Sequence, residues 1–185
     1  MDFARWDEDF GPLLDGRAFA DLPRKGEPVD VFYLPFNENW PVDVYEHYRA
    51  SYWIGSAFGP AYFQELKRAF AAFAAHCEAR RWRETIFEFY LNNKVYYKRQ
   101  DWRRSSAPWI FDEPVGTQDF WALRRYGLWF LQAVRPVAKT TKLWFRNDIS
   151  RTDYGRDILW GVMDIECMGG ANAQKARMKR EERIL

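Results

Sequence analysis

Residues 85–93 read TIFEFYLNN. Rich in aromatic residues and bounded by polar ones, the stretch reads as a β-strand that ends on two asparagines. Outward from it the pattern alternates. Upstream, from Phe63, the apolar residues Leu66, Phe70, Phe73, Ala74 and Cys77 recur at spacings of three and four, which predicts a helix running to about Trp82. Before that helix, PVDVFYLPF (28–36) is rich in Val, Phe and Tyr between prolines and reads as a buried strand. Downstream, QDFWALRRYGLWFLQAV (118–134) predicts a helix with Phe120, Leu123, Leu128, Leu131 and Val134 on its inner side, stopped by Pro136. TKLWFRNDIS (141–150) and ILWGVMDIEC (158–167) read as two further strands. Strands taking turns with helices imply an α/β fold with a parallel sheet. The expectation is a partial (β/α)8 barrel of about four parallel strands with outer helices. It is flanked by an N-terminal helix and connection (1–27) and a charged helical tail (171–185), with the barrel region at 28–170.

Composition narrows the function classes. The 185 residues are enough for one domain with a real core. Lys and Arg number 28 against 26 Asp and Glu, so the net charge is only +2, and the charge pattern argues against nucleic acid as a partner. Aromatics reach 19% with ten Trp, more than an ordinary core needs, and flat rings with polar edges suit sugar rings as well as cores. Cys77 and Cys167 belong to no metal-ligand spacing, so neither a zinc site nor a disulfide scaffold is expected, and no cofactor is implied. His47 and His76 leave few candidates for a nucleophile–histidine arrangement, and His76, between an alanine and Cys77 on a helix, reads as a packing residue. No apolar run approaches a membrane span and the first residues do not form a secretory signal, so the reading is cytoplasmic, or extracytoplasmic if a signal lies upstream.

The chemistry is sought where the strands end, the face on which ligand sites of such barrels are built. Asn37 and Glu38 follow the first strand, Asn92 and Asn93 the second, Arg146 to Asp148 close the third, and Asp164 and Glu166 lie on the fourth. No GxGxxG or P-loop motif follows any strand, which removes the phosphate-cradling alternatives. Between the second strand and its helix, APWIFDEPVGTQDFW (107–121) sets Asp112 and Glu113 side by side behind the apolar Trp109, Ile110 and Phe111. Two neighbouring acids resist ionising together. Glycoside cleavage needs that division, a proton donor for the departing oxygen and a charged group for the developing cation. A solvated turn is the plain alternative, since acids and proline are common in turns.

VDVFYLPFNENWPVDV, FEFYLNNKVYYK, APWIFDEPVGTQDFWALRRYG and FRNDISRTDYGRDIL together resemble the glycoside hydrolase family 123-related proteins, from about Phe10 to Glu166. The resemblance implies part of a (β/α)8 barrel that cleaves terminal N-acetylhexosaminides by substrate assistance, the sugar's own acetamido oxygen attacking the anomeric carbon. It implies that Asp112 orients the acetamido group and that Glu113 is the acid/base. Asn37, Glu38, Tyr90, Asn92, Arg146 and Asp148 are the rim candidates for sugar hydroxyls. A second enzyme reading is a two-carboxylate retaining glycosidase using Glu38 and Glu166. A third is a non-catalytic or truncated barrel that binds carbohydrate. Carbohydrate is the expected partner in all three, and the strands VDVFYLPF and ILWGVMDI, apolar on both faces, suggest self-association through exposed sheet edges.

Overall fold

The computed structural model describes residues 1–49, 51–94, 107–149 and 155–168. The charged tail singled out in the sequence, and residues 95–106, lie outside the described residues. Helix α1 (Phe3–Leu14) leads to strand β1 (Val31–Tyr33), the short helices α2 (Val44–His47) and α3 (Ile54–Ala57), and the long helix α4 (Pro60–Arg80). Strand β2 (Ile86–Tyr90), helix α5 (Thr117–Val134), strand β3 (Lys142–Asp148) and strand β4 (Ile165–Cys167) follow. The four strands form one sheet in the order β1-β2-β3-β4, every pair parallel. No described helix is long and apolar enough to cross a membrane.

The expected alternation is present, and α4 and α5 lie within a few residues of their predicted bounds. Pro60 opens α4, where its missing N–H costs nothing and its fixed φ suits the first turn. Its end is set by Arg81, whose φ of 60° is left-handed and closes the last turn through hydrogen bonds to Cys77 and Glu78. Helix α5 is started by Asp119. This buried carboxylate accepts the N–H groups of Val115 and Gly116 and so caps the turn before it.

The edge strands depart from expectation. The segment 28–36 contributes only three strand residues, because Pro28 and Pro35 cannot donate to a ladder. In 158–167 only the last three residues are strand. Its first part, with Arg156, forms a 3-10 turn between Gly155 and Gly161, which adopt left-handed φ of 73° and 76°. The apolar Leu159 of that turn and Val162 just after it are buried in the core. Both sheet edges are therefore three residues long, and Val31 and Tyr33 on the first are exposed. They are not the long two-faced apolar edges expected for self-association.

Alternation along β2 and β3 sends Phe87, Phe89, Leu143 and Phe145 to the helix side. There the Phe89 ring lies 4.9 Å from Phe70 of α4 and 4.8 Å from Phe130 of α5. Helix α1 extends this layer, its buried Trp6 meeting Phe73 at 5.4 Å and Phe32 of β1 at 5.7 Å. His76 has the expected packing role: it stacks on Phe3 and its Nε2 meets Asp7 at 2.7 Å.

Candidate functional site

The opposite face of the sheet carries Tyr33, Glu88, Tyr90, Arg146 and Asp148, brought together by register: Tyr33 pairs with Glu88 and Tyr90 with Arg146. Arg146 is the hub. Its Nη1 meets Glu88 Oε2 at 3.0 Å, its Nε and Nη2 bind the two oxygens of Asp148 at 2.8 and 3.2 Å, and it also donates to the Tyr33 hydroxyl. Its guanidinium carbon lies 5.1 Å from the Tyr33 ring and 5.2 Å from the Tyr90 ring. Burial works against this cation, but Asp148 and Glu88 outweigh it and hold the guanidinium firmly charged.

Asp112 and Glu113 reach the same end of the sheet from the β2–α5 connection. Asn93, just past β2, receives the N–H of Phe111 at 2.8 Å and of Asp112 at 3.2 Å on its backbone carbonyl. Its buried carboxamide donates to the carbonyls of Ala107 and Trp109 at 3.1 and 2.5 Å. One residue later the chain crosses to β3, where Glu113 N–H donates to the carbonyl of Asp148 at 3.0 Å. The acidic pair thus bridges the C-terminal ends of the two central strands. Glu113 makes this crossing with a left-handed φ of 62°. From the helix side, Asp119 Oδ1 accepts Ile110 N–H at 3.1 Å and the Tyr52 hydroxyl at 3.3 Å, fixing the base of the loop. Burial is the largest influence on Asp119 and raises its pKa, with four hydrogen bonds working the other way.

The surroundings of the pair differ from the apolar setting expected. Trp109 and Phe111 turn into the helix-side core, where Phe111 meets Tyr126 at 5.3 Å and Trp109 meets Phe58 at 5.8 Å. Asp112, buried at the rim, faces polar groups instead: Lys94 Nζ lies 2.8 Å from its Oδ2. The Tyr90 hydroxyl lies in the same polar neighbourhood as the Asp112 and Asp148 carboxylates, both of which act on it. Burial, then these two carboxylates, push that phenol far above its ordinary pKa, so it is a hydrogen-bond donor at any physiological pH. The arrangement offers carboxylate acceptors, a phenolic donor and an ammonium around one strand end, which can hydrogen-bond a polyhydroxylated ligand and transfer a proton.

Of the residues singled out in the sequence, Tyr90, Asp112, Glu113, Arg146 and Asp148 converge here. Asn92 is exposed just beyond β2. Asn37 lies past the end of β1, its side-chain oxygen engaged by Asn39 N–H at 2.8 Å. Glu38 is fully buried, and its carbonyl accepts the Tyr62 hydroxyl of α4 at 3.1 Å. Glu166 pairs in register with the buried Asn147, which alternates with Arg146 and Asp148, so it faces away from the acidic rim. Asp164 precedes β4 and accepts Phe145 N–H at 2.8 Å, at the start of that strand and not at its end. Sequence reasoning missed Asn93 and Asp119 as the two residues that hold the loop, and Lys94 as the cation of Asp112. Asp119 had a local signal, its position as the third residue of a helix after glycine. Among the described residues no group of three or more His, Cys, Asp or Glu is arranged to hold a metal ion. Compared with family models, curated proteins and solved structures, the chain matches none.

Proposed function

We propose that this chain is the catalytic part of a glycoside hydrolase, its sheet one arc of a (β/α)8 barrel, that cleaves terminal N-acetylhexosaminides by substrate-assisted retaining hydrolysis. The observation that carries the reading is the crossing of Asp112 and Glu113 over the ends of β2 and β3, hydrogen-bonded through Asn93 and Asp148. Four parallel strands in sequential order support the barrel arc. In this mechanism Asp112, charge-paired with Lys94, accepts the acetamido N–H and turns the acetamido oxygen toward the anomeric carbon. That oxygen forms a bond to the carbon as the glycosidic bond breaks, and the Glu113 carboxyl gives its proton to the departing oxygen. Water then attacks the anomeric carbon, delivering its proton to Glu113 and restoring both the sugar and the acid. Tyr90, Arg146 and Asp148 are the contacts for sugar hydroxyls.

The reading that uses Glu38 and Glu166 draws less support, because Glu38 is sealed in the core and Glu166 faces away from the rim. Turnover of aryl and alkyl N-acetylhexosaminides by the wild type and Glu113→Gln tests the proposal. Glu113→Gln should lower the rate on alkyl glycosides by roughly 10²- to 10⁴-fold and spare the 4-nitrophenyl glycosides, which need little proton donation. A fluorinated acetamido group on the substrate should slow both enzymes. Equal losses on the two leaving groups would remove Glu113 from the acid role, and no effect of fluorination would remove substrate assistance. Saturable sugar binding without turnover would leave only a carbohydrate-binding module.

A further inference from the structure

The outer face of α5 is not uniformly polar. Trp121, Arg124, Arg125 and Leu128 fall at positions i, i+3, i+4 and i+7, one stripe of the helix, pointing away from the sheet. Between this stripe and α3 lies a cleft of about 320 Å³, whose other wall is Trp53 with Ile54 and Gly55. The two indoles stand at 6.1 Å and 64°, edge toward face, yet Trp53 remains 48% exposed and Trp121 39%. Apolar surface is left in water here while the sheet face beyond the helices is polar.

The charge at the cleft has one sign. Arg124 is fixed: its Nη1 donates to the carbonyls of Ile158 and Trp160 at 2.7 and 2.9 Å, which orients the rest of the guanidinium before any ligand arrives. The Arg125 guanidinium lies over the rings of Phe63 and Trp129 at 5.7 and 5.6 Å. Among the described residues no acidic side chain lines the cleft. A ring-walled space at the small end of the ligand-pocket range, with two guanidinium groups among its described lining residues, fits a flat apolar body that carries an anionic group. Guanidinium forks recognise a carboxylate better than a neutral group of the same shape.

We propose that this cleft binds a small aromatic carboxylate, its ring against the exposed surfaces of Trp53 and Trp121 and its carboxylate at Arg124 and Arg125. The site lies on the helix side of the molecule and does not depend on the hydrolase reading. Calorimetry with 2-naphthoate, and with its methyl ester as the neutral control, tests it on the full chain, with indole N–H resonances reporting which tryptophans respond. Naphthoate should saturate and shift two indole signals, those lost in Trp53→Phe and Trp121→Phe. Trp121→Ala and Arg125→Glu should each weaken it by about ten-fold, equivalent to about 1.4 kcal/mol. Both side chains are on the surface, and unchanged circular dichroism establishes that the variants fold. Equal affinity for the ester overturns the anionic part of the proposal. Absence of saturable binding at millimolar concentration, or binding indifferent to both substitutions, overturns the site.

Discussion

On the helix side of β2 and β3, Phe87 and Phe89 pack against phenylalanines of α4 and α5, Phe145 packs against Phe89, and all three are fully buried. On the other side the alternating residues are Glu88, Tyr90, Arg146 and Asp148, with Arg146 ion-paired to both carboxylates. The same strands thus hold the molecule together with one face and present chemistry with the other. Burying a large apolar side chain contributes about 1.5–3 kcal/mol, whereas a charge network taken out of water nearly cancels its own desolvation. Stability should therefore depend unequally on adjacent residues of one strand.

Phe89→Ala is the harshest test of that asymmetry. It should cost about 3–5 kcal/mol in denaturant unfolding, because the neighbouring rings cannot all collapse into the space. Tyr90→Phe, one residue on, should change stability by less than about 1 kcal/mol. Equal effects would break the comparison.

Next in size is Arg146→Met, expected to destabilise by about 3 kcal/mol since the Glu88 carboxylate, only 5% exposed, loses its cation. Adding Glu88→Gln should recover most of that loss. If the double variant is no more stable than the single one, the polar face is held by something other than this ion pair.

A smaller effect is expected where a carboxylate serves the helix side. Glu78, near the end of α4, accepts the N–H groups of Lys139, Thr140 and Thr141 at 2.6 to 2.7 Å and so ties the helix to the start of β3. Burial opposes its charge, but these donors prevail and bring its pKa from an ordinary 4.5 down to about 2. The folded value being the lower one, the stabilisation is complete above about pH 4.5 and is lost as pH falls toward 2. Glu78→Gln should cost about 1–2 kcal/mol at neutral pH and less in acid, read from unfolding midpoints across that range.

The alternation of strands and helices was legible because hydrophobic period survives any arrangement of the elements, as α4 and α5 testify. The edges were not, because the run Ile158 to Val162 is as apolar in a buried 3-10 turn as in a strand, and only the left-handed glycines at 155 and 161 distinguish the two. Within the candidate site, Asp112 and Glu113 were visible as an unusual pair. The role of Asn93 was not, since its side-chain partners are 14 and 16 residues further along the chain. No local pattern encodes such a contact. Nor does composition tell which side of a strand Glu38 or Glu166 will face once irregular chain intervenes.

Glu113 closes the list with an effect of opposite sign and a different kind of consequence. A side chain in the left-handed region costs about 1–2 kcal/mol that glycine would not incur. Glu113→Gly should therefore raise the melting temperature, and it would do so while deleting the proposed acid. A library of this protein sorted only for thermal resistance should enrich glycine at position 113, whereas one sorted for turnover should return glutamate. The two selections would then pull a single codon in opposite directions, and the codon at which they disagree would identify where the chain has kept function at the expense of its own stability.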